Sequence, residues 1–305
     1  MKILITGGAG FIGSSLSKRL VEDGHEVVVL DSLLRGNKLD RDTFEKIRFI
    51  KGDVCDLDTV IEASSGCDLV FHFAAVLGVD IVADNPVETM DVEVIGTRNV
   101  VSAAEVNNIK KIMYASTSGI YGHSAIESAL TEEVLVDPRT SYAMAKRYNE
   151  IYLASHYEEK GLDVISVRFF NVYGSSQDNR MVVPRFFEQA AKNENITVFG
   201  SGDQTRDFTY IDDTVEACVR LIDINGCHIV NIANETEWKI IDLANAIKEI
   251  ANSDSEISYI EAPSKRYDYE VERRVGSSEK LLRLVGYKPE TSLKEGLQKI
   301  YKSNS

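Results

Sequence analysis

The octapeptide "TGGAGFIG", residues 6–13, lies between the first run of β-branched residues and the first helical pattern of the chain. Its glycines fit the spacing G-x-G-x-x-G through Gly8, Gly10 and Gly13, and Gly7 adds a further glycine. Glycines allow a tight turn from strand to helix, and the backbone N–H groups that begin a helix can bind a pyrophosphate. A glycine loop in this context predicts a dinucleotide-binding site.

An acidic residue follows this loop at the end of the second predicted strand. Asp31 lies 18 residues beyond Gly13, where a carboxylate can bind the ribose hydroxyls of an adenosine. Because a carboxylate repels a 2′-phosphate, Asp31 predicts NAD rather than NADP. Asp53 also ends a strand, at the edge where ligands of such sheets collect, although capping of its own loop is an equally open interpretation. The residues predicted to contact the cofactor are Gly7, Gly10, Phe11, Ile12, Gly13, Asp31, Asp53, Val54, Ala74 and Ala75.

Strands and helices alternate through the first half of the chain. Long helices are predicted at about 86–107 and 140–161, and short strands at residues 2–6, 25–31, 47–53, 68–75 and 109–116. Strands that are apolar almost throughout predict a parallel sheet with helices on both faces. The predicted fold class is therefore α/β, a doubly wound parallel sheet of the Rossmann type, with a second, smaller α/β lobe.

The alternation changes after Gly174, where a polar loop is followed by shorter elements. We predict an NAD-binding domain over residues 1–170, to which elements from about 207–233 return. A second lobe over residues 171–305 is predicted mainly to bind the substrate. No internal repeat or low-complexity stretch interrupts either part of the sequence.

The composition argues against several other functions. The 305 residues include 34 Lys and Arg against 48 Asp and Glu, a net charge of −14, so neither nucleic acid nor an anionic membrane is expected as the main partner. The four cysteines show no C-x-x-C spacing and no other metal pattern is found, so no metal site is predicted. No apolar run approaches the roughly 18 residues of a membrane span, and the start of the chain lacks a signal-peptide pattern, which predicts a cytoplasmic protein.

The segment "SYAMAK", residues 141–146, places Tyr142 and Lys146 four positions apart within a predicted helix. Residues at this spacing lie on the same helix face, within reach of each other. On its own the pattern Y-x-x-x-K is common by chance, and a surface tyrosine packed on a lysine stem would show the same spacing. Its interpretation therefore depends on the other motifs of the chain.

These motifs occur in an order that resembles one family. They are "TGGAGFIG", "GDVCD", "VFHFAA", "GTRNV", "STSGIYG", "SYAMAK", "RFFNVYG", "GSGDQTRDFTYIDD" and "LVGYKP". The chain resembles the extended short-chain dehydrogenase/reductases, and within them the nucleotide-sugar epimerase/dehydratase group typified by UDP-glucose 4-epimerase. The resemblance runs nearly from end to end and implies NAD as the cofactor and a UDP-sugar as the substrate.

The resemblance also implies roles for three residues. The catalytic tyrosine and lysine of the group fall on Tyr142 and Lys146, which would also contact NAD, and its serine or threonine falls on Thr117 of "STSGIYG". A free tyrosine has a pKa near ~10, so a phenolate at neutral pH requires positive charge nearby. Lys146 and oxidised nicotinamide are expected to supply that charge, so that Tyr142 acts as the base and Thr117 shares the proton of the sugar hydroxyl.

Substrate contacts are implied in the same way. Asn171 and Arg206 fall on positions that contact the nucleotide diphosphate, as does either Arg266 or Arg273, and Thr117 would contact the sugar. The planar guanidinium of arginine suits phosphate oxygens, which explains how an acidic protein can bind an anion. Local cations rather than net charge would therefore hold the substrate.

Two positions depart from the pattern of the group. Glu93 stands three residues before Gly96, where the group usually has an asparagine, so that cofactor contact is not transferred to it. The aspartate usual in the motif before "S-K" is replaced near Gly276 and Ser277, which leaves the alignment of that loop open on the sugar side.

The expected activity is that of an NAD-dependent nucleotide-sugar 4-epimerase acting through a transient 4-ketosugar, with UDP-hexose, UDP-N-acetylhexosamine and UDP-hexuronate all open as substrates. A 4,6-dehydratase or a decarboxylase on the same scaffold is the alternative, and a non-catalytic NAD-sensing protein is a more distant one. The dehydratases of the group carry Asp and Glu immediately after the threonine, and its decarboxylases carry a glutamate just before "V-Y-G". Ser118 and Gly119 occupy these positions here, which favours epimerisation.

The resemblance further implies a homodimer in which the helices at about 86–107 and 140–161 pair with their copies. Apolar side chains on these helices would form the interface. Four such residues are therefore expected to be partly exposed in a single chain: Ile95, Val101, Ile151 and Leu153.

Overall fold

A seven-stranded sheet forms the centre of the fold in a computed structural model of the chain, which describes residues 1–75, 84–124, 128–261 and 271–304. The described strands are β1 (Lys2–Thr6), β2 (Glu26–Asp31), β3 (Arg48–Lys51), β4 (Leu69–His72), β5 (Lys111–Thr117), β6 (Asp163–Phe169), β7 (Val172–Tyr173), β8 (Ile196–Phe199), β9 (Thr205–Asp207), β10 (Thr209–Tyr210), β11 (Cys227–Ile232), β12 (Glu237–Lys239), β13 (Ile257–Ile260) and β14 (Arg273–Arg274). The described α-helices are α1 (Phe11–Glu22), α2 (Arg41–Phe44), α3 (Leu57–Ala63), α4 (Pro86–Val106), α5 (Ser141–Lys160), α6 (Val182–Ala191), α7 (Ile211–Arg220), α8 (Ile240–Ile250), α9 (Glu279–Val285) and α10 (Leu293–Asn304).

The strand order across the main sheet is β11-β6-β5-β4-β1-β2-β3. Strand β1 lies between β2 and β4, and both pairs are parallel. Thr6 at the end of β1 is in register with Leu30 of β2 and His72 of β4, so the carboxyl ends of the three strands meet at one edge. The strand order reverses at β1, and ligands of open α/β sheets bind at such a switch point. The predicted Rossmann-type α/β fold is confirmed.

Apolar side chains bury both faces of the central strands. Ile3, Leu4 and Ile5 alternate between the two faces of β1, and each is fully buried. Complete burial of such a side chain stabilises the fold by roughly 1.5–3 kcal/mol relative to leaving it exposed. Because both faces are buried, helices must cover both sides of the sheet, which is why strands and helices alternate along this part of the chain.

The chain divides into two compact units. The first comprises Met1–Ile120, Pro138–Arg168 and Cys218–Val230, and the second comprises Tyr121–Asp137, Phe169–Ala217 and Asn231–Ser305. The first unit contains most of the main sheet. Within the second unit, β10 pairs with β7, β13 pairs with β8, and β9 lies between β12 and β14.

The two long helices begin and end close to the predicted residues. Helix α5 has Thr140 as its N-cap, whose side chain accepts a hydrogen bond from the N–H of Ala143. Gly161 ends the helix in the left-handed region, at φ 69°, a conformation that glycine adopts without Cβ strain. Helix α4 begins at Pro86, whose ring suits the first turn of a helix.

The expected exposure of apolar residues on these helices needs a correction. Ile95 and Ile151 are 42% and 51% exposed, as predicted. The prediction is wrong for Val101 and Leu153, which are buried in the core of the first unit. Successive helix residues are about 100° apart, so Val101 and Leu153 lie on the sides of their helices that turn away from Ile95 and Ile151 and pack against the core.

A buried carboxylate joins helix α5 to strands β5 and β6. Glu150 accepts hydrogen bonds from Oγ of Ser116 at 2.6 Å and from Nε and Nη2 of Arg168 at 2.9 and 2.8 Å. Arg147 donates a further bond to it at 3.0 Å. Burial alone would raise the pKa of Glu150, but Arg168, Ser116 and Arg147 outweigh burial and hold the pKa below its ordinary value.

Replacing Arg168 with leucine is expected to destabilise the protein by about 3–5 kcal/mol, because the carboxylate of Glu150 stays buried without its main partner. Arg147→Leu is the matched control: it removes a donor to the same carboxylate, but 32% of the Arg147 side chain is exposed. A loss of at most about 1 kcal/mol is expected for this control. Free energies of unfolding from urea titrations compare the variants, and equal losses would show that burial does not set the strength of these contacts.

Candidate active site

The glycine loop between β1 and α1 packs so closely that only glycine fits at two of its positions. Gly7 has φ 70°, and a Cβ there would lie 2.7 Å from the backbone nitrogen of Ala74. A Cβ on Gly13 would lie 2.2 Å from the carbonyl oxygen of Gly7. The loop therefore presents bare backbone at the carboxyl edge of the sheet, against the end of the chain segment that follows β4.

Helix α1 begins at Phe11 with Gly10 as its N-cap, and within the described residues no side chain caps it. The backbone N–H groups of its first turn belong to Phe11, Ile12 and Gly13. These groups have no partner within the helix and lie at the positive end of the helix dipole. A pyrophosphate group fits this arrangement of donors.

Asp31 ends β2 and is bonded to the glycine loop. Its Oδ2 accepts the N–H of Ala9 at 2.9 Å, and its Oδ1 accepts the N–H of Leu33 at 2.8 Å. Asp31 is partly exposed, and each carboxylate oxygen keeps a further lone pair for a hydroxyl donor. The geometry thus leaves Asp31 able to make the predicted contact with a ribose.

The remaining predicted cofactor residues lie along the same edge of the sheet. Asp53 caps its own loop, because its Oδ1 accepts the N–H of Cys55 at 2.8 Å. Val54 is buried, whereas Ala74 and Ala75 are partly buried at the end of the segment after β4. Contact of these residues with a cofactor stays a prediction. The bare loop, the donors of α1 and the carboxylate of Asp31 together fit the adenosine diphosphate part of NAD.

Thr117, Tyr142 and Lys146 come from two elements of the first unit. Thr117 ends β5, and Tyr142 and Lys146 lie one turn apart near the start of α5. The hydroxyl of Thr117 forms a hydrogen bond with Tyr142 and accepts the N–H of Gly119 at 3.0 Å. Nζ of Lys146 lies 5.5 Å from the centroid of the Tyr142 ring. The structure therefore brings the three predicted catalytic residues together.

Lys146 is paired with an acid that sequence reasoning did not assign to the site. Its Nζ lies 2.9 Å from Oε2 of Glu93 on α4, and the two side chains are 1% and 0% exposed. Among the described residues, Oε1 of Glu93 has no hydrogen-bond partner, and Nζ of Lys146 has none beyond this ion pair. A buried donor at this position suits the cofactor contact that the resemblance implies for Lys146.

Tyr114 and Asn149 complete the surroundings of this pair. The hydroxyl of Tyr114 lies 3.5 Å from Oε2 of Glu93, and Nζ of Lys146 lies 4.8 Å from the Tyr114 ring centroid. Nδ2 of Asn149 donates to the Tyr114 hydroxyl and to the Glu93 carbonyl, each at 2.9 Å. Sequence reasoning missed Asn149, although its position three residues after Lys146 places it on the helix face that carries Tyr142.

The groups of the protein do not lower the pKa of Tyr142 in the expected way. Burial raises this pKa well above the ordinary value of tyrosine, Glu93 raises it further, and the hydrogen bond with Thr117 lowers it. Lys146 was expected to lower it, but its ammonium is turned toward the carboxylate of Glu93. The base form of Tyr142 therefore needs positive charge beyond that of the Glu93–Lys146 pair.

His72 lies among buried hydroxyl groups at the end of β4. Its Nδ1 lies 2.8 Å from Oγ1 of Thr6, and its Nε2 lies 3.1 Å from Oγ1 of Thr97. Burial, and secondarily the charge of Lys146, lower the pKa of His72 to about 3. The ring is therefore neutral at neutral pH and serves to join the strand to helix α4.

In the second unit, Arg206 and Asn171 are both bonded to backbone carbonyl groups. Nη1 of Arg206 donates to the carbonyls of Thr205 and Val271 at 2.7 and 2.8 Å. Nδ2 of Asn171 donates to the carbonyl of Asp207 at 2.9 Å. These bonds hold both residues at strand β9, and their contact with a nucleotide diphosphate stays a prediction.

Of the two alternatives for a second phosphate-binding arginine, Arg266 lies outside the described residues. Arg273 forms an ion pair, with Nε 3.1 and 3.0 Å from the two carboxylate oxygens of Glu237. Its Nη1 donates to the carbonyl of Ser128 at 2.8 Å. The charge of Arg273 is thus partly compensated within the second unit.

Strand register separates Arg273 from Arg206. Arg273 is paired with Thr205 of β9, whereas its neighbour Arg274 is paired with Arg206. Because successive residues of a strand face opposite sides of a sheet, Arg274 rather than Arg273 shares a sheet face with Arg206. Sequence reasoning did not single out Arg274.

The departure at Gly276 has a packing reason. A Cβ at this position would lie 2.6 Å from Cβ of Ala233 and 2.8 Å from the ring of Phe170. The N–H of Gly276 donates to the buried carboxylate of Asp207 at 3.2 Å. An aspartate side chain therefore does not fit at position 276.

A Rossmann-type sheet that combines a bare glycine loop with a threonine, a tyrosine and a lysine in contact defines the class of NAD-dependent dehydrogenase-type enzymes. The family described as the NAD dependent epimerase/dehydratase family matches residues 3–233. This chain belongs to that family, which confirms the resemblance to the nucleotide-sugar group and NAD as the cofactor.

Individual relatives differ in the reactions that their names state. A UDP-N-acetyl-alpha-D-glucosaminuronate decarboxylase of Bacillus cytotoxicus is 35% identical, over 97% of this chain and 95% of the relative. A putative UDP-glucose 4-epimerase of Methanocaldococcus jannaschii is 32% identical, over 98% of this chain and 96% of the relative. The structure of UDP-glucose 4-epimerase from Thermotoga maritima with UDP-glucose matches with a TM-score of 0.92 at 29% identity, covering 100% of this chain and 99% of that chain. Similarity thus assigns the family and leaves the reaction to be argued from the site.

Two further observations concern the described part of the chain. None of its helices is both long enough and apolar enough to cross a membrane. Within the same residues, no group of three or more His, Cys, Asp or Glu side chains is arranged to hold a metal ion.

Asp31→Asn is expected to narrow the preference for NAD over NADP by tenfold or more, about 1.4 kcal/mol, because it removes the charge that repels a 2′-phosphate and keeps a similar shape. Asp42→Asn, which changes an exposed carboxylate on α2, is the control and should leave the preference unchanged. Calorimetric titration of cofactor-stripped protein with each dinucleotide measures the ratio. An unchanged ratio in Asp31→Asn would contradict the assigned role.

Proposed function

We propose that this protein is an NAD-dependent nucleotide-sugar 4-epimerase, with a UDP-hexose, a UDP-N-acetylhexosamine or a UDP-hexuronate as its substrate. The observation that carries the proposal is the pair of residues after Thr117. Ser118 and Gly119 stand where the resemblance places the acids of the dehydratases and the glutamate of the decarboxylases. Neither residue offers a carboxyl group for elimination. A 4-ketosugar formed beside them is therefore expected to be reduced again rather than to lose water or carbon dioxide.

Gly119 lies directly beside the hydroxyl group of Thr117. Its N–H donates to Oγ1 of Thr117 at 3.0 Å, and a Cβ on Gly119 would lie 3.3 Å from the same atom. A side chain at position 119 would therefore start beside the sugar-binding hydroxyl. With glycine there, position 119 contributes only a backbone N–H beside Thr117, which supports a site that moves one proton and one hydride at C4.

Tyr142 removes the proton of the 4-hydroxyl group in this proposal, and Thr117, which is bonded to Tyr142, orients that hydroxyl and shares its proton. The chemistry that NAD would supply when bound is reversible hydride transfer at C4. When the hydride returns to the other face of the ketosugar, Tyr142 gives the proton back to the C4 oxygen. Lys146 would hold the cofactor through Nζ, which among the described residues has no partner beyond its ion pair with Glu93. The chain consequently needs no second acid at C5 or C6.

Glu93 is one acid from outside this segment that could support elimination. Its Oε2 lies 2.9 Å from Nζ of Lys146, and its side chain is fully buried. A carboxyl held in this way interacts with the lysine rather than with C5 or C6 of a sugar. This placement favours the epimerase over the dehydratase.

A decarboxylase is the second candidate, because one of the relatives described above carries that name. Another relative of similar identity is named as a putative 4-epimerase, so overall identity does not separate the two reactions. The non-catalytic alternative is disfavoured by the intact and connected Thr117, Tyr142 and Lys146. The products of the reaction distinguish the two enzymes.

We also propose that the protein is a homodimer formed through α4 and α5. Both helices carry exposed apolar side chains in the single chain: Val87, Met90 and Ile95 on α4, and Met144, Tyr148 and Ile151 on α5. Apolar surface concentrated on two adjacent helices is typical of an interface with a second copy.

Incubation of the protein with UDP-glucose, UDP-N-acetylglucosamine and UDP-glucuronate is expected to convert at least one of them to its C4 epimer, as read by proton NMR. Neither carbon dioxide nor a 4-keto-6-deoxysugar should form, because neither Ser118 nor Gly119 carries a carboxyl group. A UDP-pentose with release of carbon dioxide would identify a decarboxylase. A ketone absorbance in alkali that grows with turnover would identify a dehydratase, and either result would overturn the proposal.

Two tyrosine variants control this assay. Tyr142→Phe keeps the packing of the ring but removes the base, so turnover should fall by ~10² or more while NAD binding is retained. Tyr157→Phe changes a tyrosine of the same helix that is 38% exposed, and turnover should stay close to that of the wild type. Near-normal turnover in Tyr142→Phe would refute its assignment as the base.

Light scattering at micromolar concentration is expected to give twice the chain mass of 33.9 kDa. Ile151→Glu should shift the protein toward the monomer, because it places a charge in the proposed interface. Leu282→Glu, at an exposed apolar residue of α9, is the matched control and should leave the mass unchanged. A wild-type protein that is strictly monomeric would contradict the proposed dimer.

A further inference from the structure

The proposed reaction leaves the carboxyl group of Glu93 without a chemical role. The side chain is fully buried, Oε2 lies 2.9 Å from Nζ of Lys146, and Oε1 has no hydrogen-bond partner among the described residues. A buried ion pair is seldom the most stabilising choice for a core position, because desolvation cancels much of the attraction. Stability therefore does not explain why an acid stands beside the lysine of the site.

Ionisable groups from three elements face the Glu93–Lys146 pair. They are His72 on β4, Tyr114 on β5 and Tyr142 on α5, and Glu150 of α5 acts on Tyr114. His72 is neutral for the reason given above. Glu150 is compensated by Arg168, whose Nη2 lies 2.8 Å from it. The hydroxyl of Tyr114 lies 3.5 Å from Oε2 of Glu93 and accepts a hydrogen bond from Nδ2 of Asn149 at 2.9 Å, so it belongs to the surroundings of the pair rather than to the proposed catalytic residues. Among the proposed catalytic residues, Tyr142 is the acid whose ionisation the pair can govern.

The pair has no net charge, whichever residue holds the proton. A carboxylate with an ammonium sums to zero, and so does a neutral carboxyl with a neutral amine. An uncharged residue at position 93 would instead leave the positive charge of Lys146 uncompensated. A positive charge at about 4–6 Å lowers the pKa of an acidic group by roughly 1–3, and Nζ of Lys146 lies 5.5 Å from the ring centroid of Tyr142.

We propose that Glu93 is a positioning residue that draws the ammonium of Lys146 toward α4 and cancels its charge, so that Tyr142 loses its proton only at a higher pH than it would beside an uncompensated lysine. The proposal rests on the proposed function for the role of Tyr142 as the base. The contacts themselves belong to α4, α5 and β5 of the first unit.

Glu93→Gln tests the proposal because it removes the charge and keeps the size of the side chain. The acidic limb of kcat/KM against pH, measured on the holoenzyme, is expected to move to lower pH by about one unit or more. The reason is that Tyr142, whose titration is coupled to that of Lys146, then loses its proton at a lower pH. Glu93→Asp keeps the charge, so its limb should stay near that of the wild type. An unmoved limb in Glu93→Gln would overturn the proposal.

Glu105→Gln is the matched control. Glu105 also lies on α4 and also pairs with a lysine of α5, Lys160 at 3.0 Å, but both side chains are exposed. Its replacement changes the net charge by the same amount at an exposed ion pair and should leave the limb in place. If Glu105→Gln moves the limb as much as Glu93→Gln does, the effect is one of net charge and the proposal fails.

A titration that needs no turnover separates this proposal from the proposed function. Tyrosinate absorbance of the protein with reduced cofactor bound, minus that of Tyr142→Phe, reports the phenolate of Tyr142. It should form above the ordinary tyrosine pKa of ~10 in the wild type and at least about one pH unit lower with Glu93→Gln. Glu93→Asn, the residue usual in the group, replaces Glu93→Gln if that variant does not fold. A wild-type phenolate that forms below the ordinary value would overturn the proposal even if neither variant folds.

Discussion

The backbone at Gly13 lies so close to the carbonyl oxygen of Gly7 that only glycine fits, and this contact sets the geometry of the site. The carbonyl oxygen of Gly7 occupies the space that a side chain at Gly13 would need, at 2.2 Å from its Cβ. Helix α1 can therefore begin directly beside the carboxyl end of β1, and the N–H groups of its first turn reach the edge of the sheet, where a pyrophosphate would fit them. A larger residue at either position would displace the helix from the sheet, and with it the loop whose Ala9 N–H is bonded to Asp31.

Two buried carboxyl groups near helix α5 show how the protein uses charge in its interior. Glu150 has donors from three side chains, and its pKa lies below the ordinary value, so it acts as a structural link between helix and sheet. For Glu93, burial raises the pKa although Lys146 and Tyr114 lower it, and one of its oxygens has no partner among the described residues. A satisfied carboxylate stabilises the fold, whereas an incompletely satisfied one beside the tyrosine proposed as the base is suited to regulating protonation.

Local patterns of the sequence predicted the parts of the structure that depend on local geometry. The glycine loop, Asp31, the parallel sheet and both ends of helix α5 follow from residue spacing, backbone freedom and alternating apolar runs. The exposure of Val101 and Leu153 was predicted wrongly, because it depends on how each helix is rotated against the sheet. The partner of Lys146 lies 53 residues earlier in the chain, so only the packing of α4 against α5 could reveal it. Likewise, strand register rather than sequence spacing separates Arg273 from the face of Arg206.

A UDP-sugar deuterated at C4 tests most directly whether one hydride leaves and returns within a single site. For the proposed 4-epimerase the expected product is the C4 epimer with its deuterium still at C4, because in that proposal Tyr142 and Thr117 move only the hydroxyl proton and neither Ser118 nor Gly119 carries a carboxyl group. Mass spectrometry and proton NMR of the product read both the configuration and the position of the label. Loss of deuterium to solvent, or retention of deuterium in a sugar that has lost its C6 carboxyl or hydroxyl group, would contradict a 4-epimerase.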